Sequence, residues 1–121
     1  MTEKTPWPTE MRLHTDKRTL SVRFDDGVAH DLPAEMLRVL SPSAEVQGHS
    51  PEQRQTIGGK RNVSILALEP VGNYAVKIVF SDGHNTGLFS WSYLRQLGDE
   101  HEARWSEYVN ELASKGMSRD R

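Results

Sequence analysis

The chain has 121 residues and a formal net charge of -2, and it contains no cysteine. That length fits one domain with one core, and the lack of cysteine excludes disulfides, thiolate metal ligands and a cysteine nucleophile. Acids and bases are interspersed around a pI of about 6.2, so no basic field draws nucleic acid or anionic lipid, and no apolar run is long enough to span a bilayer.

Residues 1–10 hold two prolines among polar residues and are expected to form a flexible arm, with Trp7 tacked onto the body. The stretch from Met1 to Pro6 lacks the apolar region of a secretory signal, which points to the cytoplasm. Met11 to His14 and Thr19 to Phe24 read as a hairpin turning at Asp16-Lys17-Arg18, because Leu20, Val22 and Phe24 alternate with Ser21 and Arg23. Asp25-Asp26-Gly27 reverses the chain into a short strand, Val28 to Asp31. Pro33 then suits the first turn of a helix that carries Met36, Leu37 and Leu40 on one side and stops at Ser41-Pro42.

From Ser41 to Arg61 the chain is polar or small and shows no period, so it is expected to be a long loop of the kind that carries function. Asn62 to Leu68 and Tyr74 to Phe80 read as two central strands around a reversal at residues 69–73, followed by a last strand, His84 to Phe89. Ser90 is placed to cap a helix that buries Trp91, Leu94 and Leu97 and ends at Gly98. Asp99 and Glu102 have the spacing of a capping box for a closing helix with Trp105, Tyr108, Val109 and Leu112 along one side. Residues 117–121 form a charged tail with nothing to bury and are expected to be disordered. The pattern predicts a small single α+β domain over residues 11–116. It has an antiparallel sheet of about six strands, two short helices and a C-terminal helix packed on the sheet, with Ile78, Phe80, Trp91, Leu94, Trp105 and Leu112 buried together.

One motif occurs twice. Phe24-Asp25-Asp26-Gly27 precedes Leu37-Arg38-Val39-Leu40, and Phe80-Ser81-Asp82-Gly83 precedes Leu94-Arg95-Gln96-Leu97. Each copy reads as strand, Asp-Gly reversal, short strand and helix, which speaks to architecture rather than chemistry. The strings SPSAEVQGH (Ser41 to His49), GGK (Gly58 to Lys60) and EPVGNYAVKIVFSDGHNTGLFSWSYL (Glu69 to Leu94) resemble those of the bacterial stand-alone DUF971 proteins, also called the gamma-butyrobetaine hydroxylase-like N-terminal domain. The resemblance spans Met11 to Gly116. It implies an accessory role, since members of that family occur alone, ahead of oxygenases, and attached to P-loop ATPases of the iron–sulfur carrier type. An oxygenase or an iron–sulfur assembly protein is the partner it implies.

In the oxygenase-fused relatives a zinc is held by three cysteines after the first helix and by one histidine in the DGH turn. His84 matches that histidine, whereas the stretch from Ser41 to His49 offers no cysteine. Two readings stay open. His84, His49 and Glu45 make a replacement site for a divalent metal such as zinc, with water in an open position, or His84 hydrogen-bonds the loop and Glu45 and His49 pin it. In either case Glu45, His49 and His84 are expected to line one surface, with Ser43 on it and Lys60 and Arg61 at its rim.

The remaining candidates are bland. His14, His30 and His101 look like surface or satisfied residues, and Asp25, Asp26 and Asp82 sit where turns favour aspartate. Gly58-Gly59-Lys60 is followed by Arg61 rather than Ser or Thr and lacks phosphate-loop spacing, leaving a weak anion nest or a solvated turn. With no nucleophile and base paired in the sequence, the expected function is a non-catalytic interaction module, with a metal-binding domain as the alternative.

Overall fold

The computed structural model describes residues 6–48 and 51–120. Alternation along β2 (Thr19–Phe24) drives Leu20, Val22 and Phe24 into the core, where none is more than 1% exposed. β1 (Pro8–Leu13) and β3 (Ala29–Pro33) flank it antiparallel, with Leu13 opposite Leu20 and Val22 opposite His30. β4 (Ile65–Val71), β5 (Ala75–Phe80) and β6 (Leu88–Ser90) repeat the meander as a second three-stranded sheet. The architecture is α+β with six strands, divided between two sheets rather than joined in one.

Several boundaries differ from the expectation. The last strand, expected from His84, begins only at Leu88, because His84, Thr86 and Gly87 pack on Ser41, Ser43 and Glu45 instead, and β3 spans Ala29–Pro33 rather than Val28 to Asp31. β1 begins at Pro8, inside the supposed arm, because Trp7 is tied twice to Asp25: its N–H donates to Asp25 Oδ1 at 3.1 Å, and its carbonyl accepts from the Asp25 N–H at 2.8 Å. Trp7 also meets Trp91 edge-on at 6.4 Å. β4 starts at Ile65 and runs through Pro70, so the reversal falls at residues 72–74, and a bulge after Ile65 turns Leu66 out to 57% exposure.

The repeated motif folds the same way twice. In the first copy the Phe24 N–H donates to the Val28 carbonyl (2.8 Å), the Gly27 N–H to the Phe24 carbonyl (3.0 Å) and the Val28 N–H to Asp26 Oδ1 (3.2 Å). The second copy makes the matching bonds through Phe80, Gly83, His84 and Asp82, at 3.0, 3.0 and 3.1 Å. Gly27 and Gly83 adopt φ of +86° and +93°, a region costly for any side chain. The helices that carry the two Leu-Arg-x-Leu strings, α1 (Ala34–Val39) and α3 (Trp91–Asp99), exchange partners. Arg38 of the first copy reaches Asp82 of the second at 2.7 Å, and Arg95 of the second reaches Asp26 of the first at 2.8 Å. One core receives both halves, with Phe24, Leu37, Phe80, Phe89, Leu94 and Leu97 packed together.

The helix termini explain further departures. Pro33 occupies the N-cap of α1 rather than its first turn, while Ser90 Oγ accepts the Tyr93 N–H at 3.2 Å as a capping residue should. Gly98 does not end α3. It lies inside the helix, buried against the His30 ring, where a Cβ would collide with the imidazole. Asp99 does not cap α4 (His101–Ser114), because it is drawn to Arg95 at 3.0 Å and His30 at 2.8 Å. The supposed long loop contains α2 (Ala44–Gln47), capped by Ser43 Oγ, and a 3₁₀ turn at Pro51–Gln53.

Ile78, Phe80 and Leu94 are fully buried as expected, but Leu112 joins a smaller cluster with Val39 and Tyr108. Trp91 and Trp105 are only partly buried against these clusters, and Val109 is 39% exposed. Trp105→Ala is therefore expected to cost about 1–2 kcal/mol, below the roughly 3–5 kcal/mol of a fully enclosed tryptophan. A urea midpoint unchanged from wild type would contradict that packing. Among the described residues no helix is long and apolar enough to cross a membrane.

Candidate functional site

The Asp-Gly turn after β5 delivers His84 inward, where it is 8% exposed, and the break at Ser41-Pro42 after α1 brings the start of α2 against it. Ser41 Oγ lies 2.9 Å from His84 Nε2, and Glu45 Oε2 lies 3.0 Å from His84 Nδ1. Thr86 Oγ1 donates to the same Glu45 oxygen at 2.9 Å, and Ser43 Oγ meets Thr86 Oγ1 at 2.7 Å. The Ser43 N–H donates to Ser41 Oγ, and the Glu45 N–H to Ser43 Oγ. The pattern assigns a neutral imidazole that donates from Nδ1 to the carboxylate and accepts the Ser41 hydroxyl proton at Nε2. Gly87 closes the cluster from the other side, where a Cβ would fall far inside van der Waals contact of Ser41 Oγ.

Beside this cluster Asp82 gathers two cations, Arg38 at 2.7 Å and Lys60 at 2.6 Å. Burial acts to raise its pKa, but bonds from Lys60, the His84 N–H and Arg38 prevail and hold it at about 2. His84 shifts below 6.5, chiefly through burial and then through Arg38, against the opposing pull of Glu45 and Asp82. Both folded-state values are depressed, so both groups add stability at higher pH and lose it on acidification. The contribution of His84 is complete above pH 6.5 and is lost as pH falls below that value; that of Asp82 is lost between 3.8 and about 2. The acid limb is shared with Asp99 and Glu111, whose pKa values are also lowered. The urea midpoint is therefore expected to decline first just below pH 6.5, and His84→Asn should remove that step. A wild-type midpoint constant from pH 7 to 5 would contradict the assignment.

The expected residues are only partly united. Glu45 and His84 are in contact, Ser43 joins them through Thr86, and Lys60 approaches through Asp82. Arg61 turns instead to Asp120, at 2.5 Å. His49 lies outside the described residues. Gly58-Gly59-Lys60 offers little to an anion, because the Gly59 N–H donates to the Ser118 carbonyl and Lys60 is paired. His14 bonds Ser21 and His30 bonds Asp99; Asp26 and Asp82 each accept a backbone N–H within their own turn, whereas Asp25 accepts the distant Trp7 N–H. Ser41, Thr86, Gly87, Arg38 and Asp82 were not singled out as site residues. The repeated motif marks Arg38 and Asp82, whereas Ser41, Thr86 and Gly87 carry no local signal.

Ser41, His84 and Glu45 form a hydroxyl–imidazole–carboxylate chain like that of acyl-transfer enzymes. Ser41 is fully buried, however, and Gly87 packs on its oxygen, so no carbonyl substrate reaches it. Of the three residues expected to hold a metal, Glu45 and His84 are in contact, and both imidazole nitrogens are engaged by Ser41 and Glu45. Among the described residues, which do not include His49, no group of three or more suitable ligands occurs.

The model of the family described as gamma-butyrobetaine hydroxylase-like, N-terminal, matches residues 11–95. Two solved NMR structures are similar over nearly the whole chain. One is 47% identical with a TM-score of 0.83, covering 97% of this chain and 92% of its own. The other is 45% identical with a TM-score of 0.82, covering 98% and 90%. A crystal structure of a protein of unknown function of the DUF971 family, from Acidithiobacillus ferrooxidans ATCC 23270, is 43% identical with a TM-score of 0.63 and covers 75% of this chain and 91% of its own. No curated protein matches significantly. On the match to most of its length and the identity with these structures, the chain belongs to the gamma-butyrobetaine hydroxylase-like N-terminal family, DUF971.

Proposed function

We propose that this chain is a non-catalytic interaction module whose working surface is centred on Glu45. The observation that carries the reading is an asymmetry of exposure: the Glu45 side chain is 64% exposed, while the His84 side chain that holds it is 4% exposed. A buried imidazole, itself fixed by a buried serine, and the Thr86 hydroxyl together hold one solvent-facing carboxylate in a single orientation. Such preorganisation lowers the ordering cost of binding. A groove of about 570 Å³ is lined by Pro42 and Gln47, from the same segment as Glu45, and by Tyr93, Arg104 and Tyr108, but not by Glu45 itself. The domain contexts of the family favour an oxygenase or an iron–sulfur assembly protein as partner.

Capture from the source cell extract with tag-free protein, with elemental analysis of the same sample, tests the reading. Wild type should retain one discrete protein partner. Glu45→Lys, with an unchanged circular dichroism spectrum, should weaken capture by roughly tenfold or more. Stoichiometric metal without a partner would support the metal-binding alternative and overturn the module.

A further inference from the structure

The segment after α4, read from composition as a disordered tail, has a built seat. Gly116 takes φ of +67°, and the Gly116 and Met117 N–H groups return to the Ala113 and Leu112 carbonyls, a helix-ending motif that aims the chain back at the loop before β4. There the carbonyls of Ser118 and Arg119 accept the N–H groups of Gly59 and Arg61, both at 3.0 Å. The Arg119 guanidinium forks onto Glu35 at 2.8 and 2.6 Å and lies 5.1 Å above the Trp105 ring. Arg61 in turn forks onto Asp120 at 2.5 and 3.2 Å.

Glu35 decides what this seat prefers. It is 6% exposed on α1, and a carboxylate so enclosed is costly without a cation. Two main-chain donors, a buried acid with an aromatic face beside the cation it takes, and an exposed arginine read an extended backbone, an arginine and then an acid. The segment has no buried apolar anchor, since Met117, Ser118 and Asp120 are exposed and only the charged Arg119 is partly buried, so its attachment rests on exchangeable polar contacts.

We propose that the slot formed by Glu35, Gly59, Arg61 and Trp105 recognises an extended segment bearing arginine followed by aspartate. Residues 118–120 fill it in cis, and a partner protein's Arg-Asp segment takes it in trans. The inference deepens the module reading and rests on it for the existence of a partner. A tether this short gives an effective concentration on the order of millimolar, which a partner anchored elsewhere on the domain can match.

The test uses the 121-residue chain carrying Arg119→Ala, titrated with the peptide Met-Ser-Arg-Asp and followed by ¹H–¹⁵N spectra. The Gly59 and Arg61 amides and the Trp105 indole should shift saturably. The peptide Met-Ser-Ala-Asp should leave them in place, and adding Glu35→Gln should abolish the response. If Arg119→Ala does not fold, wild type with excess peptide serves, and displacement should move the Ser118 and Arg119 amides. A dimer that exchanges this segment between copies would also show trans occupancy. No saturable shift, or equal binding of the alanine peptide, overturns the slot. Should partner capture survive that result, the module reading stands without it.

Discussion

Asp82→Ala is expected to lower the unfolding free energy by about 3 kcal/mol, while its counterpart in the other repeat, Asp26→Ala, should cost far less. Both aspartates hold a turn and an arginine from the opposite copy, so the difference comes from burial and from the number of dependants. The Asp82 side chain is 19% exposed against 42% for Asp26, and it serves both Arg38 and Lys60. Arg38 is 12% exposed and is paired with Asp82, whereas Arg95, 17% exposed, keeps Asp99 at 3.0 Å when Asp26 is removed. Removing the Asp82 carboxylate leaves the Arg38 guanidinium enclosed and uncompensated. Urea unfolding of the two variants measures the contrast, and equal costs would contradict the unequal burial of the two exchanged pairs.

Gly87→Ala is expected to cost about 2–3 kcal/mol, an overpacking penalty at a position with a negative or extended φ where backbone strain is not at issue. The added methyl would meet Ser41 Oγ, and also the Phe89 ring at 3.2 Å and Pro42 Cδ at 3.4 Å. Relief requires Ser41 to move, which releases His84 Nε2 and loosens Glu45. The variant should therefore lose partner capture together with stability, and adding Ser41→Ala should restore part of the stability without restoring capture. A Gly87→Ala protein as stable as wild type would show that the cluster is looser than its distances imply.

Much of the fold was legible because its determinants are local. The alternation of Leu20, Val22 and Phe24, the two Asp-Gly turns and the Ser90 cap each act within a few residues, and each stands where the sequence placed it. The short α2 was not legible, since it buries one residue, Val46, and so has no apolar period. The onset of β4 was misplaced because Val63 and Ile65 extend the alternation toward Asn62, and a bulge at Leu66 is invisible to a period of two. Composition misled at residues 117–120, where backbone bonds and ion pairs replace apolar burial as the means of attachment. At the site, the meeting of the DGH turn with the stretch after α1 was expected from the family resemblance. The roles of Ser41, Thr86 and Gly87 depend on contacts between distant parts of the chain, which no local pattern records.

The account rests on His84 being a neutral, fully engaged support for Glu45 rather than a metal ligand. Long-range ¹H–¹⁵N correlation of the imidazoles at neutral pH, before and after one equivalent of zinc, tests this most directly. The account predicts that His84 is protonated at Nδ1 and unprotonated at Nε2, with both signals unmoved by the metal. A His84 signal that shifts and saturates at one zinc per chain would contradict it.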